Sequence, residues 1–138
     1  MCESRNWTSE EILKFAEWLW ENDQRSYSIL AMHGVCWGIK IGNLLVAQYD
    51  FPNTMSWGDA KKVCVSLGQG WKLPSQDELN SLYLSKDKIG GFKHNYWSST
   101  ENDFNGLAWY QNFSNGFQFS TNKYNKYATY YVRAIRAF

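Results

Sequence analysis

The spacing of apolar residues predicts an amphipathic helix near the start of the chain. Thr8 and Glu11 fit a capping box, in which each side chain bonds the backbone N–H of the other residue at a helix N-terminus. Apolar residues then recur with the i, i+3, i+4, i+7 spacing of one buried stripe: Ile12, Phe15, Ala16 and Leu19. We therefore predict a helix over residues 8–22.

Two tryptophans of this segment, Trp18 and Trp20, lie off the buried stripe. They form either a second packing surface within the same domain or a docking face for another subunit, because large aromatic residues are enriched in interface cores. The pattern alone does not separate the two interpretations. We predict that residues 1–37 are a helical attachment segment, which contacts neighbouring subunits or forms a homo-oligomer, and that residues 38–138 are the main domain.

The middle of the chain predicts a hairpin and two more helices. Gly42 and Asn43 separate two β-prone runs, residues 39–41 and 44–47, as in a tight hairpin turn. Ser56 begins a helix that Gly68 ends, with a buried stripe of Ala60, Val63, Cys64 and Leu67. A short strand over residues 71–73 then leads to a second capping box, formed by Ser75 and Glu78.

Short strands with polar loops are predicted for the second half, at residues 96–100, 108–113, 117–121 and 130–135. We predict a three-residue loop over residues 114–116, which places Phe113 opposite Phe117. This register gives a core face and a polar face. The core face contains Trp109, Phe113, Phe117 and Phe119, and the polar face contains Tyr110, Asn112, Gln118 and Ser120.

Composition and charge exclude several classes of protein. Aromatic residues make up 18% of the 138 residues, and the formal net charge is only +1. A nucleic-acid binder that neutralises phosphates shows a basic excess, so we expect no nucleic-acid partner. Lys40, Gly42 and Asn43 interrupt the longest apolar stretch, residues 39–49, so we expect no membrane insertion. The N-terminus does not resemble a signal peptide, and we expect synthesis in a cytoplasm.

The sequence offers few residues for catalysis or metal binding. His33 and His94 are far apart, and no Gly-x-Ser-x-Gly motif or Walker loop is present. The three cysteines fit neither a disulfide framework nor a zinc ligand set. Residues 101–103 carry oxygens that could bind calcium, but a solvated loop is the simpler interpretation. We therefore expect a protein that is not an enzyme and that has no metal and no cofactor.

Several motifs occur in a specific order along the chain. They are Gly70-Trp71-Lys72-Leu73-Pro74-Ser75, Tyr96-Trp97-Ser98-Ser99-Thr100, Ala108-Trp109-Tyr110 and Tyr131-Val132-Arg133-Ala134-Ile135-Arg136. In this order and spacing they resemble the Lcl C-terminal domain family of bacteria and their phages. The resemblance covers roughly residues 38–138, and the helix at residues 56–64 is similar to that family's first helix.

The resemblance implies an α+β protein with a C-type-lectin-like fold. Two helices would pack on small, mainly antiparallel sheets with long loops and adjoining terminal strands, beside the N-terminal helix. It implies core positions for Trp71, Leu73, Trp97, Val132 and Ile135. Arg133 and Arg136 would pair with Asp77 or Glu78, or lie in solvent. More distant relatives, the formylglycine-generating enzymes, act through cysteines in the C-terminal half, and this chain has none after Cys64.

The second half is dense in Asn and Tyr, residues that antibody paratopes favour. Tyr rings give large contact areas at low entropic cost, and Asn amides adapt their hydrogen bonds. The alternative is that they simply occupy turns and a half-buried sheet. We predict a ligand-binding surface composed of Asn102, Asn105, Tyr110, Asn112, Gln118, Asn122, Tyr124, Asn125 and Tyr127.

These observations favour a non-enzymatic recognition or decoration module. We expect it on a phage virion, as part of a fibre, tail or head, where it binds a bacterial surface glycan or protein. Trp18 and Trp20 would attach it to other virion subunits. One alternative is a structural virion protein that binds only other virion subunits, and a second is a bacterial adhesin-type domain.

Overall fold

The computed structural model describes residues 14, 17, 18, 20–22, 38–68, 70–102, 106–122 and 128–137. The predicted α+β class is confirmed, since helices accompany two three-stranded antiparallel sheets in this part of the chain. The described residues between positions 14 and 22 are helical, as predicted. The elements are β1 (Gly38–Ile41), β2 (Leu44–Ala47), α1 (Trp57–Ser66), α2 (Gln76–Leu84), α3 (Lys86–Ile89), β3 (Asn95–Asn102), β4 (Leu107–Asn112), β5 (Gln118–Asn122) and β6 (Ile135–Ala137).

The first sheet joins the two ends of the domain. Its order is β1-β2-β6, and Gly42 lies at φ 57° in the tight turn between β1 and β2. Val46 of β2 pairs with Ile135 of β6, so the last strand lies beside the second strand of the N-terminal hairpin. The terminal strands β1 and β6 do not adjoin as predicted, because β2 lies between them. Val46 and Ile135 are both fully buried, and this sheet therefore anchors the chain's last strand in the core.

The second sheet has the order β3-β4-β5, and a single bridge joins its strand β3 to the segment that leads into β6. The predicted strand over residues 130–135 is wrong in extent, because β6 begins only at Ile135. Tyr130 instead bridges to Met55, and Tyr131 bridges to Tyr96. The segment changes partner from one residue to the next, so it cannot form a continuous ladder. The predicted strand at residues 71–73 is likewise reduced to one bridge, between Lys72 and Ile135.

The helix caps follow the sequence prediction. The Oγ of Ser56 accepts a hydrogen bond from the Asp59 backbone N–H. In the capping box of α2, the Ser75 Oγ accepts from the Glu78 N–H at 3.2 Å, and Glu78 Oε1 accepts from the Ser75 N–H at 2.9 Å. Partial burial opposes ionisation of Glu78, but the bonds from Ser75 and the Lys72 ammonium at 3.4 Å outweigh it and lower the pKa of Glu78.

The motif residues form the core, as the resemblance implied. Trp71, Leu73, Trp97, Val132 and Ile135 are each at most 3% exposed. The Nε1 of Trp97 donates to the Met55 carbonyl at 2.8 Å, so its one polar group is satisfied inside the protein. These side chains therefore fix the position of β3 relative to the rest of the domain.

Arg133 contradicts the prediction that it pairs with Asp77 or Glu78 or lies in solvent. Its side chain is 1% exposed, and its Nε donates to Asp50 Oδ1 at 2.6 Å. Its Nη1 donates to the carbonyls of Ala47, Gln48 and Gly90 at 3.2 to 3.3 Å. A buried guanidinium needs this many acceptors. The end of β2, the end of α3 and the Asp50 carboxylate supply them.

Asp50 connects this arginine to the second sheet. Its other oxygen accepts a 2.7 Å hydrogen bond from the hydroxyl of Tyr96, which lies on β3. Burial raises the pKa of Asp50, and the Arg133 charge and the Tyr96 hydroxyl offset only part of this effect. Burial and the neighbouring Asp50 carboxylate also raise the pKa of Tyr96. Removing one member of this group would leave another polar or charged group buried without a partner.

The hairpin between β4 and β5 differs from the predicted register by one residue. Tyr110 pairs with Phe119, and the Asn112 N–H donates to the Phe117 carbonyl at 2.9 Å, so the loop covers residues 113–116. Phe117 and Phe119 therefore share a face with Tyr110 and not with Phe113. Phe113 is buried, whereas Phe117 is 63% exposed, so the predicted core face is wrong.

Gly116, the last residue of this loop, lies against α2. It lies at φ 83°, and a Cβ placed there would be 2.6 Å from the Tyr83 ring. Tyr83 lies on α2 and packs edge-on against Phe113, with ring centroids 5.6 Å apart. Only glycine fits a left-handed backbone in contact with that ring. The loop is therefore shaped by a contact from α2 as well as by its own sequence.

We predict that Arg133→Met destabilises the domain by about 3–5 kcal/mol, because it leaves the Asp50 carboxylate buried without its counter-charge. The control is Lys61→Met, which removes the cation of a surface pair with Glu101 at 4.0 Å and is expected to cost less than about 1 kcal/mol. Urea unfolding monitored by tryptophan fluorescence measures both. Equal changes in the free energy of unfolding for the two variants would show that the buried pair contributes no more to stability than the surface pair.

We predict that Gly116→Ala destabilises the domain more than Gly42→Ala. Both glycines have positive φ, but a Cβ at Gly42 meets no atom within 4 Å, whereas one at Gly116 meets the Tyr83 ring. The difference, on the order of 1–3 kcal/mol, reports overpacking against that ring. It should shrink in a Tyr83→Ala background. A difference unchanged by Tyr83→Ala would refute the contact as its cause.

Candidate binding surface

A row of aromatic rings runs from the core to the surface of the second sheet. The Trp97 ring is buried and lies 4.7 Å from the Tyr130 ring, which lies 4.4 Å from that of Tyr110. The row continues through Phe119, 5.7 Å from Tyr110, to Phe117, 6.3 Å farther on. Phe119 is 43% exposed and Phe117 is 63% exposed. We call Tyr110, Phe117, Phe119 and Tyr130 the aromatic face.

The strand register creates this face. Trp97 pairs with Tyr110 between β3 and β4, and Tyr110 pairs with Phe119 between β4 and β5. Residues that pair directly across antiparallel strands project to the same side of the sheet. Phe117 lies two residues before Phe119 and therefore projects to that side as well. Each exposed ring is thus supported by a ring closer to the core.

The aromatic face is uncharged but retains polar groups. Burial and the hydrogen bond with the Tyr110 hydroxyl raise the pKa of Tyr130 to about 12, so this phenol is protonated at neutral pH. Residues 107–122, which include β4 and β5, contain no Asp, Glu, Lys, Arg or His. The surface can therefore offer ring faces and phenol hydroxyls to a ligand, without a strong electrostatic preference.

The opposite side of the hairpin is held by an amide network. Gln111 is fully buried, and its Nε2 donates to Asn80 Oδ1 at 2.9 Å and to the Gly116 carbonyl at 3.0 Å. Gln118 Nε2 donates to the Gln76 carbonyl at 3.1 Å. Because Asn80 and Gln76 belong to α2, the network fastens β4, β5 and the loop to this helix. The aromatic face is therefore presented on a rigid support.

The structure separates the residues of the predicted ligand-binding surface. Tyr110 lies on the aromatic face, whereas Gln118 faces α2, so the predicted common face of these two residues is wrong. Asn102 is half-buried at the end of β3, and Asn122 is exposed at the end of β5. The Oδ1 of Asn112 accepts from the Ser114 N–H at 2.7 Å and shapes the loop. The other predicted residues lie outside the described part of the chain: Asn105, Tyr124, Asn125 and Tyr127.

Phe117, Phe119 and Tyr130 were absent from the predicted surface. The first two were assigned to the core on the basis of the wrong register. The sequence contains one relevant pattern. Two phenylalanines that alternate with polar residues in a short strand can lie on either the core face or the exposed face of the sheet. Only the position of the loop decides between those faces, and the loop contacts Tyr83, which lies outside the hairpin.

The two tryptophans predicted to attach other subunits have different environments. Trp20 is half-buried and packs against the first core cluster, with its ring 5.5 Å from that of Phe51. Trp18 is 55% exposed. Trp20 thus fits the interpretation of a second packing surface within the domain, while Trp18 is accessible to a partner.

A cleft of about 290 Å³ lies beside the buried ion pair. Asp50, Arg133, Gly90, Gly91 and Lys93 contribute to its lining. The acid and the guanidinium are already paired with each other, so they are not available to act as a general base and a substrate clamp. This buried pair therefore belongs to the structural wall of the cleft.

Cys64 is inert in this structure. It is fully buried, and burial raises the pKa of its thiol, which disfavours the reactive thiolate. No group of three or more His, Cys, Asp and Glu side chains that could hold a metal ion is found among the described residues. Within those same residues, we found no helix with the length and apolar character needed to cross a bilayer.

Comparison with known proteins identifies the family. The family model of the Lcl C-terminal domain matches residues 17–136. The match thus begins before residue 38 and takes in Trp18 and Trp20, which the sequence motifs had left outside. No curated protein gives a significant match to the chain. The family model spans most of the 138 residues, and the chain belongs to the Lcl C-terminal domain family.

Proposed function

We propose that this chain is a non-enzymatic recognition module and that its aromatic face binds the sugar rings of a bacterial surface glycan. The observation that carries the proposal is the exposure of Phe117 and Phe119 at the end of a stacked row that begins in the core. Apolar rings exposed together on a rigid support are a feature of binding surfaces.

The chemistry of the face suits a sugar. The C–H groups on one side of a pyranose ring form an apolar patch that stacks on an aromatic ring, while its hydroxyls need hydrogen-bond partners. Phe117 and Phe119 supply exposed rings, and the Tyr110 hydroxyl, bonded to Tyr130, lies in the same row. Because the hairpin is already fixed to α2, little conformational entropy is lost when a ligand binds.

The absence of charged residues between positions 107 and 122 narrows the class of glycan that this surface would bind. Recognition of a sulfated or carboxylated polysaccharide usually depends on Lys or Arg side chains that pair with the anions. The hairpin itself supplies no such cations. We therefore propose a neutral glycan as the ligand.

The proposed setting is a phage particle, as a fibre, tail or head component. The family resemblance, which extends to bacteria and their phages, supports this setting. The accessible Trp18 would contact neighbouring virion subunits. A structural virion protein and a bacterial adhesin-type domain are the alternatives, and they differ in whether the aromatic face contacts a protein or a glycan.

We predict that the double variant Phe117→Ser/Phe119→Ser weakens binding to purified host-cell polysaccharide by about tenfold or more, because each aromatic contact contributes about 0.5–1.5 kcal/mol beyond area burial. Biolayer interferometry with immobilised polysaccharide measures the affinity. Urea unfolding should show only a small stability loss, since both rings are exposed in the free protein.

The matched control is Val65→Ser/Leu84→Ser, which removes two exposed apolar side chains, 66% and 75% exposed, on α1 and α2. It should leave polysaccharide binding unchanged. Equal binding by wild type and the Phe double variant would contradict the proposal. Capture of a virion subunit by the aromatic face, with no polysaccharide bound, would favour the structural alternative, and mass spectrometry of purified particles tests the setting.

A further inference from the structure

The two edges of the second sheet differ in how they are covered. At the β3 edge, the Trp97 N–H donates to the Tyr131 carbonyl at 3.1 Å, and the Tyr131 N–H donates to the Asn95 carbonyl at 2.9 Å. The Ser99 N–H donates to the Pro74 carbonyl at 2.7 Å. At the other edge, β5 pairs only with β4 among the described residues. From Gln118 to Thr121, the outer edge of β5 is therefore the open one within that part of the chain.

The backbone groups at this edge can be assigned from the ladder. The Asn112 N–H bonds the Phe117 carbonyl, and the Phe113 N–H bonds the His94 carbonyl, so β4 alternates between its two neighbours. In an antiparallel pair, every second residue of a strand bonds inward. Phe117 and Phe119 consequently bond β4, while the N–H and C=O groups of Gln118 and Ser120 point away from the sheet.

The described strand β5 itself carries no charge, proline or bulge that would oppose pairing. Proteins guard such edges with Lys, Pro, an inward-pointing charge or a bulge. The strand Gln118–Asn122 contains no charged residue and no proline, and its register with β4 is continuous. Phe117 and Phe119 are exposed beside it.

We infer that β5 pairs antiparallel with β5 of a second copy of this chain. The two-fold axis passes between the two Phe119 residues, and Gln118 of each copy lies opposite Ser120 of the other. In this register the outward N–H and C=O groups of Gln118 and Ser120 form four backbone hydrogen bonds. The result is a six-stranded sheet across the dimer.

The lack of charge on β5 allows this strand to pair with the same strand of a second copy. Two-fold pairing of a strand with itself brings side chains of the same sign close together, so a charged strand repels its copy. The uncharged β5 carries no such penalty. The same register places Phe119 opposite Phe119 and Phe117 opposite Thr121, and aromatic–aromatic and aromatic–β-branched pairs are favourable across strands.

This inference goes beyond the proposed function and does not depend on it. Because the axis is perpendicular to the sheet, both aromatic faces lie on the same side of the dimer. Two glycan sites would then be adjacent, which increases avidity for a repetitive polysaccharide without any new contact.

The first test is sedimentation velocity of the full chain at about 1 to 500 μM under reducing conditions, in which disulfides cannot link copies. We expect wild type and Ser120→Ala to dimerise, because alanine keeps the backbone N–H. Ser120→Pro removes that N–H on the outer side of β5 and should weaken dimerisation by about tenfold or more. A wild type that stays monomeric throughout this range overturns the inference, as does a Ser120→Pro variant that dimerises as tightly as wild type.

The second test examines the register by cysteine cross-linking in a Cys2→Ser/Cys36→Ser background. Phe119→Cys should form an intermolecular disulfide on mild oxidation, because the two Cα atoms at the axis lie within disulfide range. Thr121→Cys is the matched control and should not cross-link, since Thr121 faces Phe117 of the other copy. Efficient cross-linking of Thr121→Cys without Phe119→Cys would overturn the register.

The experiments distinguish a failure of the dimer proposal from a failure of the proposed glycan binding. Ser120 projects to the side opposite the aromatic face, so a folded Ser120→Pro monomer should keep its monovalent affinity for a short fragment of the polysaccharide. Loss of dimerisation with intact fragment binding supports both proposals. A dimer that binds no polysaccharide contradicts only the proposed function.

Discussion

The buried pair of Arg133 and Asp50 is the constraint on which the rest of the structure depends. Arg133 lies two residues before β6, Asp50 lies three residues after β2, and the second Asp50 oxygen accepts from Tyr96 on β3. The same guanidinium bonds the Gly90 carbonyl at the end of α3. One charged group thus connects the first sheet, the second sheet and the helical segment. Strands of three to eight residues need such a connection, because their own ladders are brief.

The cost of burying this pair is met by its hydrogen bonds. An isolated guanidinium in the core would be strongly unfavourable, and a lone carboxylate equally so. Here Arg133 also stacks on the Phe92 ring, with the guanidinium carbon 4.3 Å from the ring centroid. Phe92 in turn packs against Phe113, at 4.5 Å between centroids, next to the hairpin loop. The ion pair therefore supports the region from which β5 and the aromatic face project.

Local signals in the sequence were sufficient to predict the elements. The capping box of Ser75 and Glu78, the stop at Gly68 and the turn at Gly42 each depend on residues within one turn or hairpin, and the structure confirms all three. Apolar motif residues such as Trp97 and Val132 were also assigned correctly to the core.

What the sequence could not supply were the contacts between distant segments. Arg133 lies 83 residues from Asp50, and an arginine that alternates with apolar residues looks the same whether it is solvated or paired in the core. The loop between β4 and β5 contacts Tyr83, 33 residues before Gly116 in the chain. A shift of one residue reverses every side chain of a strand, and so Phe117 and Phe119 moved from the expected core to the surface.

The hairpin from residue 107 to residue 122 thus combines two properties. It is neutral, and it exposes aromatic rings beside an open strand edge in the described part of the chain. Neither property is required to stabilise this fold, because Phe117 and Phe119 lie outside both core clusters and the amide network already fixes the hairpin to α2. In a monomer with no partner, a Lys at this edge would oppose aggregation and improve solubility. An uncharged edge strand of this kind is most simply explained if a second copy covers the edge of β5 in the assembled protein, while the rings of Phe117 and Phe119 face a ligand.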